Sequence, residues 1–321
     1  MVVSARYNGK ESFEEWKKDW DLEDRYNFKT VENKWHKIWF DEGVYKTETA
    51  IEKKRNYTLA NFLYNDVKLN INDVRFYIGL DVITRHKKMN GSDTLDVNNR
   101  KTSIYSDDII NINEMIDAYG IDAFRIYMMF IGPFNQNVKW SEDSLNGAHK
   151  FVGKVFGLFN KITPVTPSRK DLQIMHKTII SISKGIEQLK FNVAISLLMT
   201  YVNYLAKLKE IPQICYEVLL KLMSPFAPHL ADEMWARLGY NTLIMNENWP
   251  SGDIELAKEN SATIAIQING KVRGVIEVER DLDNDEVVKI AKSLDNIAEK
   301  LTKIKPKKVI VIPNRIVNIV V

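Results

Sequence analysis

Apolar residues recur at helical spacing over most of this chain, and the breaks in that rhythm divide it. Phe13, Trp16 and Trp20 share one face of a short amphipathic segment within residues 11–24. Val31, Trp35, Ile38 and Trp39 predict a second helix over 30–43. Residues 57–64 read as a buried strand. Val74, Tyr77, Ile78, Val82 and Ile83 then form the apolar side of a helix over 73–90. From 91 to 106 the periodicity lapses and Asn, Asp, Ser and Thr dominate, which predicts a loop. Ile109, Ile110, Met115, Ile116 and Tyr119 restore helical spacing, with Gly120 as a C-cap. Residues 121–131 predict a buried helix stopped at Gly132-Pro133.

Beyond 141 the pattern is all helical. Ser141 is a natural N-cap for a helix carrying Leu145, Ala148, Phe151, Val152, Val155, Phe156 and Phe159. A Pro- and Thr-rich linker over 163–168 leads to helices near 170–189, 192–210, 213–223 and 227–238, a bundle. Residues 262–321 differ. Ile264, Ile266 and Ile268 alternate with polar residues, Asn269-Gly270 signals a type I′ hairpin, and Val272, Ile276 and Val278 continue the inward face. Asp283 with Glu286 opens a helix carrying Val287, Ile290, Ala291, Leu294, Ala298 and Leu301. Strands over 307–312 and 315–321 complete a ββαββ module.

Composition narrows the chemistry. The chain has 321 residues, 45% hydrophobic, enough for two or three packed domains. Its formal net charge is only +3, so any nucleic-acid surface must be local. The single cysteine, Cys215, excludes an internal disulfide and sits in an apolar helical run as a packed thiol. No membrane-length apolar run occurs, and a cytoplasmic protein is expected. The five histidines show no metal-ligand spacing; no metal site is expected, and His229 reads as a packing residue. Asp107-Asp108 reads as a helix cap rather than an acid pair.

Three ordered stretches carry a family likeness. The first is Tyr119-Gly-Ile-Asp-Ala-Phe-Arg-Ile-Tyr127 with Phe130-Ile-Gly-Pro133 and Trp140-Ser141. The second is Phe191-Asn-Val-Ala-Ile-Ser196 with Met223-Ser-Pro-Phe-Ala-Pro-His-Leu-Ala-Asp-Glu-Met-Trp235. The third is Gln267-Ile-Asn-Gly-Lys-Val-Arg-Gly274 with residues 308–320. Together with Tyr26-Asn-Phe-Lys29 and Trp35, they resemble bacterial leucyl-tRNA synthetases of class I.

The resemblance implies a mixed, mainly α fold. Residues 1–57 are an N-terminal helical extension and family-like start, and 58–140 a vestigial Rossmann-type α/β remnant. Residues 141–250 are an anticodon-binding-type helical bundle, and 261–321 a C-terminal α+β module of tRNA-binding type. The family's His-x-Gly-His signature falls on Asn70, Ile71, Asn72 and Asp73, without a histidine and with a negative charge added. Its Lys-Met-Ser-Lys-Ser signature falls on 101–105, where Lys101 and Ser103 match but Ile104 replaces the second lysine. The editing domain and the remaining strands that the family carries between these points are missing. No catalytic residue and no cofactor are therefore expected, and the losses argue against ATP binding. The exposed remnant would need a cover: Trp16 and Trp20, a protein partner, or a second copy of the chain.

The basic residues of the C-terminal module are the binding candidates. Residues 262–321 hold eleven Lys and Arg against eight Asp and Glu. Lys271 and Arg273, two apart on a strand, are expected on one outer face. Lys303, Lys305, Lys307 and Lys308 cluster before the third strand, with Arg315 one strand away. Such lysines also serve as charged strand edges that discourage pairing. The family resemblance favours tRNA contact, through phosphates. Three readings follow: a tRNA-binding protein that forms no aminoacyl-adenylate alone, a leucine–tRNA ligase component completed by a second chain, and a protein-interaction module that has abandoned RNA.

Overall fold

The computed structural model describes residues 26–44, 54–60, 71–98, 112–136, 138, 140–258, 261–280, 282–294, 297–299, 301 and 306–321, with backbone alone at 54–60, 93–98, 261 and 279. The amphipathic segment over 11–24 and the Asp107-Asp108 cap lie outside these residues. The chain divides into two units, Met1–Ala257 and Lys258–Val321.

The first helix, α1 (Phe28–Asp41), begins two residues before the expected start because Asn27 caps it, accepting from Thr30 N at 3.3 Å. Val31, Trp35 and Trp39, four apart, form its buried stripe. Strand β1 (Lys54–Ala60) is followed by α2 (Ile71–Met89) and β2 (Ser92–Asn98). The strands are parallel, from Lys54 opposite Ser92 to Ala60 opposite Asn98, so the three elements form a βαβ unit. This corrects the loop expected over 91–106 at residues 92–98; residues 99–106 lie outside the described residues. Leu95 and Val97 are the only apolar residues of β2, and its pairing with β1 outweighs its poor strand composition.

Helix α2 turns Ile71, Arg75, Ile78, Gly79, Val82, Arg85, His86 and Met89 inward. Its core is continuous with that of the helices that follow. These are α3 (Ile112–Tyr119), α4 (Ile121–Phe130), α5 (Glu142–Gly157), α6 (Arg169–Glu187), α7 (Phe191–Lys207), α8 (Gln213–Met223), α9 (Pro228–Arg237) and the single turn α10 (Ile254–Ala257). Ser141 caps α5 through Ser144 N, 3.4 Å away, and Ser168 with Asp171 makes a reciprocal capping box on α6. The linker over 163–168 leaves a short strand: Ile162 and Thr163 (β3) pair in parallel with Ile211 and Pro212 (β4). Gly120 joins α3 to α4 at φ 86°, and a Cβ there would meet the Phe28 ring at 2.9 Å. Cys215 is fully buried, and burial pushes its thiol up to about 11, as fits a packed residue.

The second unit is a four-stranded sheet under one helix. Strands β5 (Ser261–Ile268), β6 (Lys271–Glu279), β7 (Lys308–Ile312) and β8 (Ile316–Val320) lie in the order β6-β5-β8-β7, with β5 and β8 parallel at the centre. Asn269 at φ 48° and Gly270 at φ 77° make the expected left-handed pair of turn residues. Helix α11 (Asn284–Ser293) starts at Asp283, which accepts from Asp285 N at 2.9 Å. It packs Val287 and Ala291 on Ile264, Ile266, Ile276, Val278, Val317 and Ile319.

Two expectations fail here. The β5–β6 register slips between Ile266 and Gln267, so Ile266 faces Gly274 but Gln267 faces Val272. The extra residue of this bulge is Arg273, and Val272 is 57% exposed rather than inward. Helix α11 also stops at Ser293, because Leu294 is extended; the fully buried Ile297 follows in a separate turn.

Candidate nucleic-acid interface

Strand register sorts the basic candidates of the C-terminal unit. Lys271 lies opposite Ile268, Ile268 opposite Ile319, and Ile319 opposite Val309, so one row crosses all four strands. Lys308 sits one row further along, opposite Val320. Lys307 N–H donates to Val320 O at 2.8 Å and extends the same end of the ladder. Lys271, Arg273, Lys307 and Lys308 are all exposed. Arg273 lies at the bulge, level with Val317 and Asn318, and Lys271, Lys307 and Lys308 belong to this end of the sheet. Arg315 does not. It precedes Ile316, which pairs with Ile312 at the far end of the β7–β8 hairpin. The expected patch is therefore two sites, with Arg315 roughly four residue rises, or ~13 Å, from the lysine end. The bulge also breaks the alternation on which a shared face for Lys271 and Arg273 was argued. Lys303 and Lys305 lie outside the described residues.

Sequence reasoning missed what holds this end together. The amide oxygen of Asn318 accepts from Gly270 N at 3.1 Å, and that of Asn269 accepts from Val321 N at 3.1 Å. Asn269 N–H also donates to Ile319 O at 3.0 Å. The β5–β6 turn is thus tied to the last strand from both sides. Asn269-Gly270 identifies the turn in sequence, but only the parallel β5–β8 pairing shows that Asn318 lies beside it.

Of the degenerate signature positions, Asn72 and Asp73 occupy the first turn of α2; Asn70, Lys101, Ser103 and Ile104 lie outside the described residues. An aspartate in a first turn favours the helix dipole, and the same charge repels a phosphate approaching that end. Arg75, one turn on, is buried and donates to four carbonyls. They are Met128 O and Gln136 O at 2.8 Å, Gly132 O at 2.7 Å and Pro133 O at 3.1 Å. Asp81 takes both Arg85 Nε at 2.8 Å and Arg125 at 2.6 Å. Burial works to raise its carboxyl, but the two guanidiniums outweigh burial and hold it at about 2. These charges are spent on structure.

A second polar cluster joins α1 to the bundle. Trp39 Nε1 donates to Asp232 at 2.8 Å, Trp35 Nε1 to Glu233 at 2.9 Å and Lys34 Nζ to Glu233 at 2.7 Å. His229, expected to pack, is buried against Trp39 with Nδ1 2.8 Å from Asp122. Asp122 also accepts from Leu230 N at 2.7 Å and so caps α9. A cleft of about 220 Å³ opens beside it between α1 and α3, lined by Phe28, Lys29, Glu32, Asn33, His36 and Asp117 among others. Burial, with Asp122 nearby, pushes Glu32 up to about 8. Among the described residues no group of three or more His, Cys, Asp or Glu could hold a metal ion. No described helix is long and apolar enough to cross a membrane.

Comparison with known proteins gives this architecture a setting. Residues 169–290 match the anticodon-binding domain of tRNA ligases. A leucine–tRNA ligase of Parabacteroides distasonis is 34% identical over 264 residues, 80% of this chain and 26% of its own length. That of Chloroherpeton thalassium is 37% identical over 73% of this chain and 30% of its own length. Among solved structures, the agnB2 LeuRS of Agrobacterium radiobacter, in a ternary complex with tRNA and LeuAMS, shares the fold. Its TM-score is 0.50 at 23% identity, covering 77% of this chain and 36% of that one. This chain is thus leucyl-tRNA-synthetase-like and carries an anticodon-binding domain of tRNA-ligase type. It spans between a quarter and a third of the length of the curated relatives it matches.

Proposed function

We propose that this chain, a homologue of leucine–tRNA ligases across most of its length, binds tRNA, leucine tRNA foremost, and forms no aminoacyl-adenylate by itself. One observation carries the reading: three exposed lysines gather at one end of the terminal sheet, with exposed Arg273 further along its edge strand, in a chain whose residues 169–290 match an anticodon-binding domain. Phosphates are the ligands such a row suits, and contacts to them fix position rather than read sequence. The second half of the reading rests on the signature positions. Asn70, Asn72 and Asp73 supply no histidine, and Ile104 stands where the family has a lysine, so of the groups that would stabilise phosphate charge only Lys101 and Ser103 remain.

The test is an electrophoretic titration with total tRNA at low and high salt, beside an ATP–pyrophosphate exchange assay with leucine. A shift that weakens with salt and no exchange are expected. Exchange by the pure chain would overturn the claim on adenylate. No shift at low salt would overturn tRNA binding.

A second reading is favoured by β1 and β2, a parallel pair to which no further strand is added among the described residues. Parallel sheets are ordinarily covered on both faces. In this reading another chain extends the sheet and restores ligase activity. A co-purifying polypeptide whose addition starts leucine-dependent exchange would establish it.

A further inference from the structure

We infer that Asn269 and Asn318 are positioning residues for RNA: they lock the β5–β6 turn to the last strand and so hold Lys271 and Arg273 in fixed register with Lys307 and Lys308. The inference rests on the tRNA-binding reading above and names how that surface is built.

Lys271 begins immediately after the Asn269-Gly270 turn, on one edge of the sheet, and Lys308 begins the strand at the other edge. Three strand spacings separate them, roughly 14 Å, so they address different phosphates. Holding two phosphates at once demands that the two edges keep a fixed separation. An edge hairpin with a bulge two residues beyond its turn is poorly suited to that alone, because bulges bend the strand and increase its twist. The asparagines remove the freedom. Asn318 lies on β8, between the two edge strands, and its Oδ1 takes Gly270 N–H at 3.1 Å. Asn269 reaches the other way, its Oδ1 taking Val321 N–H at 3.1 Å while its own N–H donates to Ile319 O at 3.0 Å. The strand that receives the turn also pairs with Lys308 through Val320. Both cation groups are therefore referenced to the same four residues, 318–321. Arg315, beyond the opposite end of β8, gains nothing from the lock.

The discriminating experiment is a double-mutant cycle on the full chain, with total tRNA as the probe and affinity measured between about 50 and about 200 mM salt. Lys271→Ala should lower the slope of log affinity against log salt by about one, which is about fourfold less loss over that range. Asn318→Ala should lower it similarly with the thermal melt of the chain unchanged. The combination should cost little more than either alone, whereas Asn318→Ala with Arg315→Ala should be additive. Asn269→Gly, which keeps the left-handed turn but removes the amide, should behave as Asn318→Ala does.

Additivity of Asn318→Ala with Lys271→Ala would overturn the inference while leaving tRNA binding intact, as would weakening by Asn318→Ala with no change in salt slope. If neither Lys271→Ala nor Lys308→Ala alters affinity, the basic end is not the tRNA surface and the inference falls, whereas tRNA binding itself falls only if no shift occurs at low salt.

Discussion

Leu189 takes a left-handed backbone conformation, φ 56°, just past the end of α6, where Lys190 N–H closes on Gly185 O at 2.8 Å and Leu189 N–H on Ile186 O at 3.0 Å. Helix ends of this type favour glycine, because a Cβ in the left-handed region crowds its own carbonyl. At 42% exposure the leucine recovers little by burial. Leu189→Gly should therefore raise stability by about 0.5–1 kcal/mol in urea denaturation, the relief of strain exceeding the entropy glycine adds to the unfolded chain. His86 makes the opposite case. It is buried edge-on against Trp249, 4.6 Å between ring centres, and burial, with Lys87 nearby, holds it down at about 4. A folded value below the unfolded one of about 6.5 means the unfolded chain binds the proton first. The stability is whole above pH ~6.5 and is lost as pH falls toward about 4. His86→Leu should flatten that acid limb of the melting temperature. Glu32 acts at the other end of the scale. Its raised value, about 8, makes the folded state hold a proton that the unfolded chain has already lost. Stability then declines as pH rises from ~4.5 toward about 8, and Glu32→Gln, which keeps an acceptor for Ile121 N, should remove that decline.

Between elements, α2 packs closely against the segment that follows α4. Gly79 permits it: a Cβ there would lie 2.5 Å from the Phe134 ring, which itself packs edge-on against Phe191. Arg75 completes it by satisfying carbonyls at and beyond the end of α4, groups that no helix can satisfy for itself. Arg75→Met should keep the packing but strand those carbonyls, at a cost of about 3–5 kcal/mol by chemical denaturation. The joint also shows what sequence carries and what it hides. The bundle helices were legible because their buried positions are apolar at helical spacing, with a serine cap at 141; the cap at Ser168 was hidden in a stretch that reads as linker. The inward stripe of α2 was blurred, because Arg75, Arg85 and His86 sit on it. Strand β2 was invisible: its partner lies in β1, on the far side of α2 in sequence, and seven residues with two apolar ones carry no local signal. In the basic module the charges were legible one by one. Their grouping was not, since Arg315 separates from Lys308 only through hairpin register, and the bulge at Arg273 leaves no mark beyond Gly274 beside it.

For the molecule as a whole, nearly balanced charge sets how tRNA must be held. A formal net charge of +3 on 321 residues gives little long-range attraction, so affinity must come from few local contacts. Lys271, Arg273, Lys307 and Lys308 offer about four phosphate contacts, and Lys303 and Lys305, close by in sequence, would bring the total to about six. At roughly 0.9 ions released per contact, the slope of log affinity against log salt should fall between about −3.5 and about −5.5. The division of the chain makes the origin of that slope measurable. Residues 258–321 enclose their own core around Ile264, Ile266, Val317 and Ile319, and residues 1–257 enclose another. Each should fold alone, the smaller with only about 3 kcal/mol of stability, as a single core of that size supplies. The fragment 258–321 should then reproduce nearly the full slope, and 1–257 should show a residual one of about −1 or less. A slope divided evenly between the fragments would place half the phosphate contacts on the helical bundle. Residues 1–257 would then share the load equally with the terminal sheet.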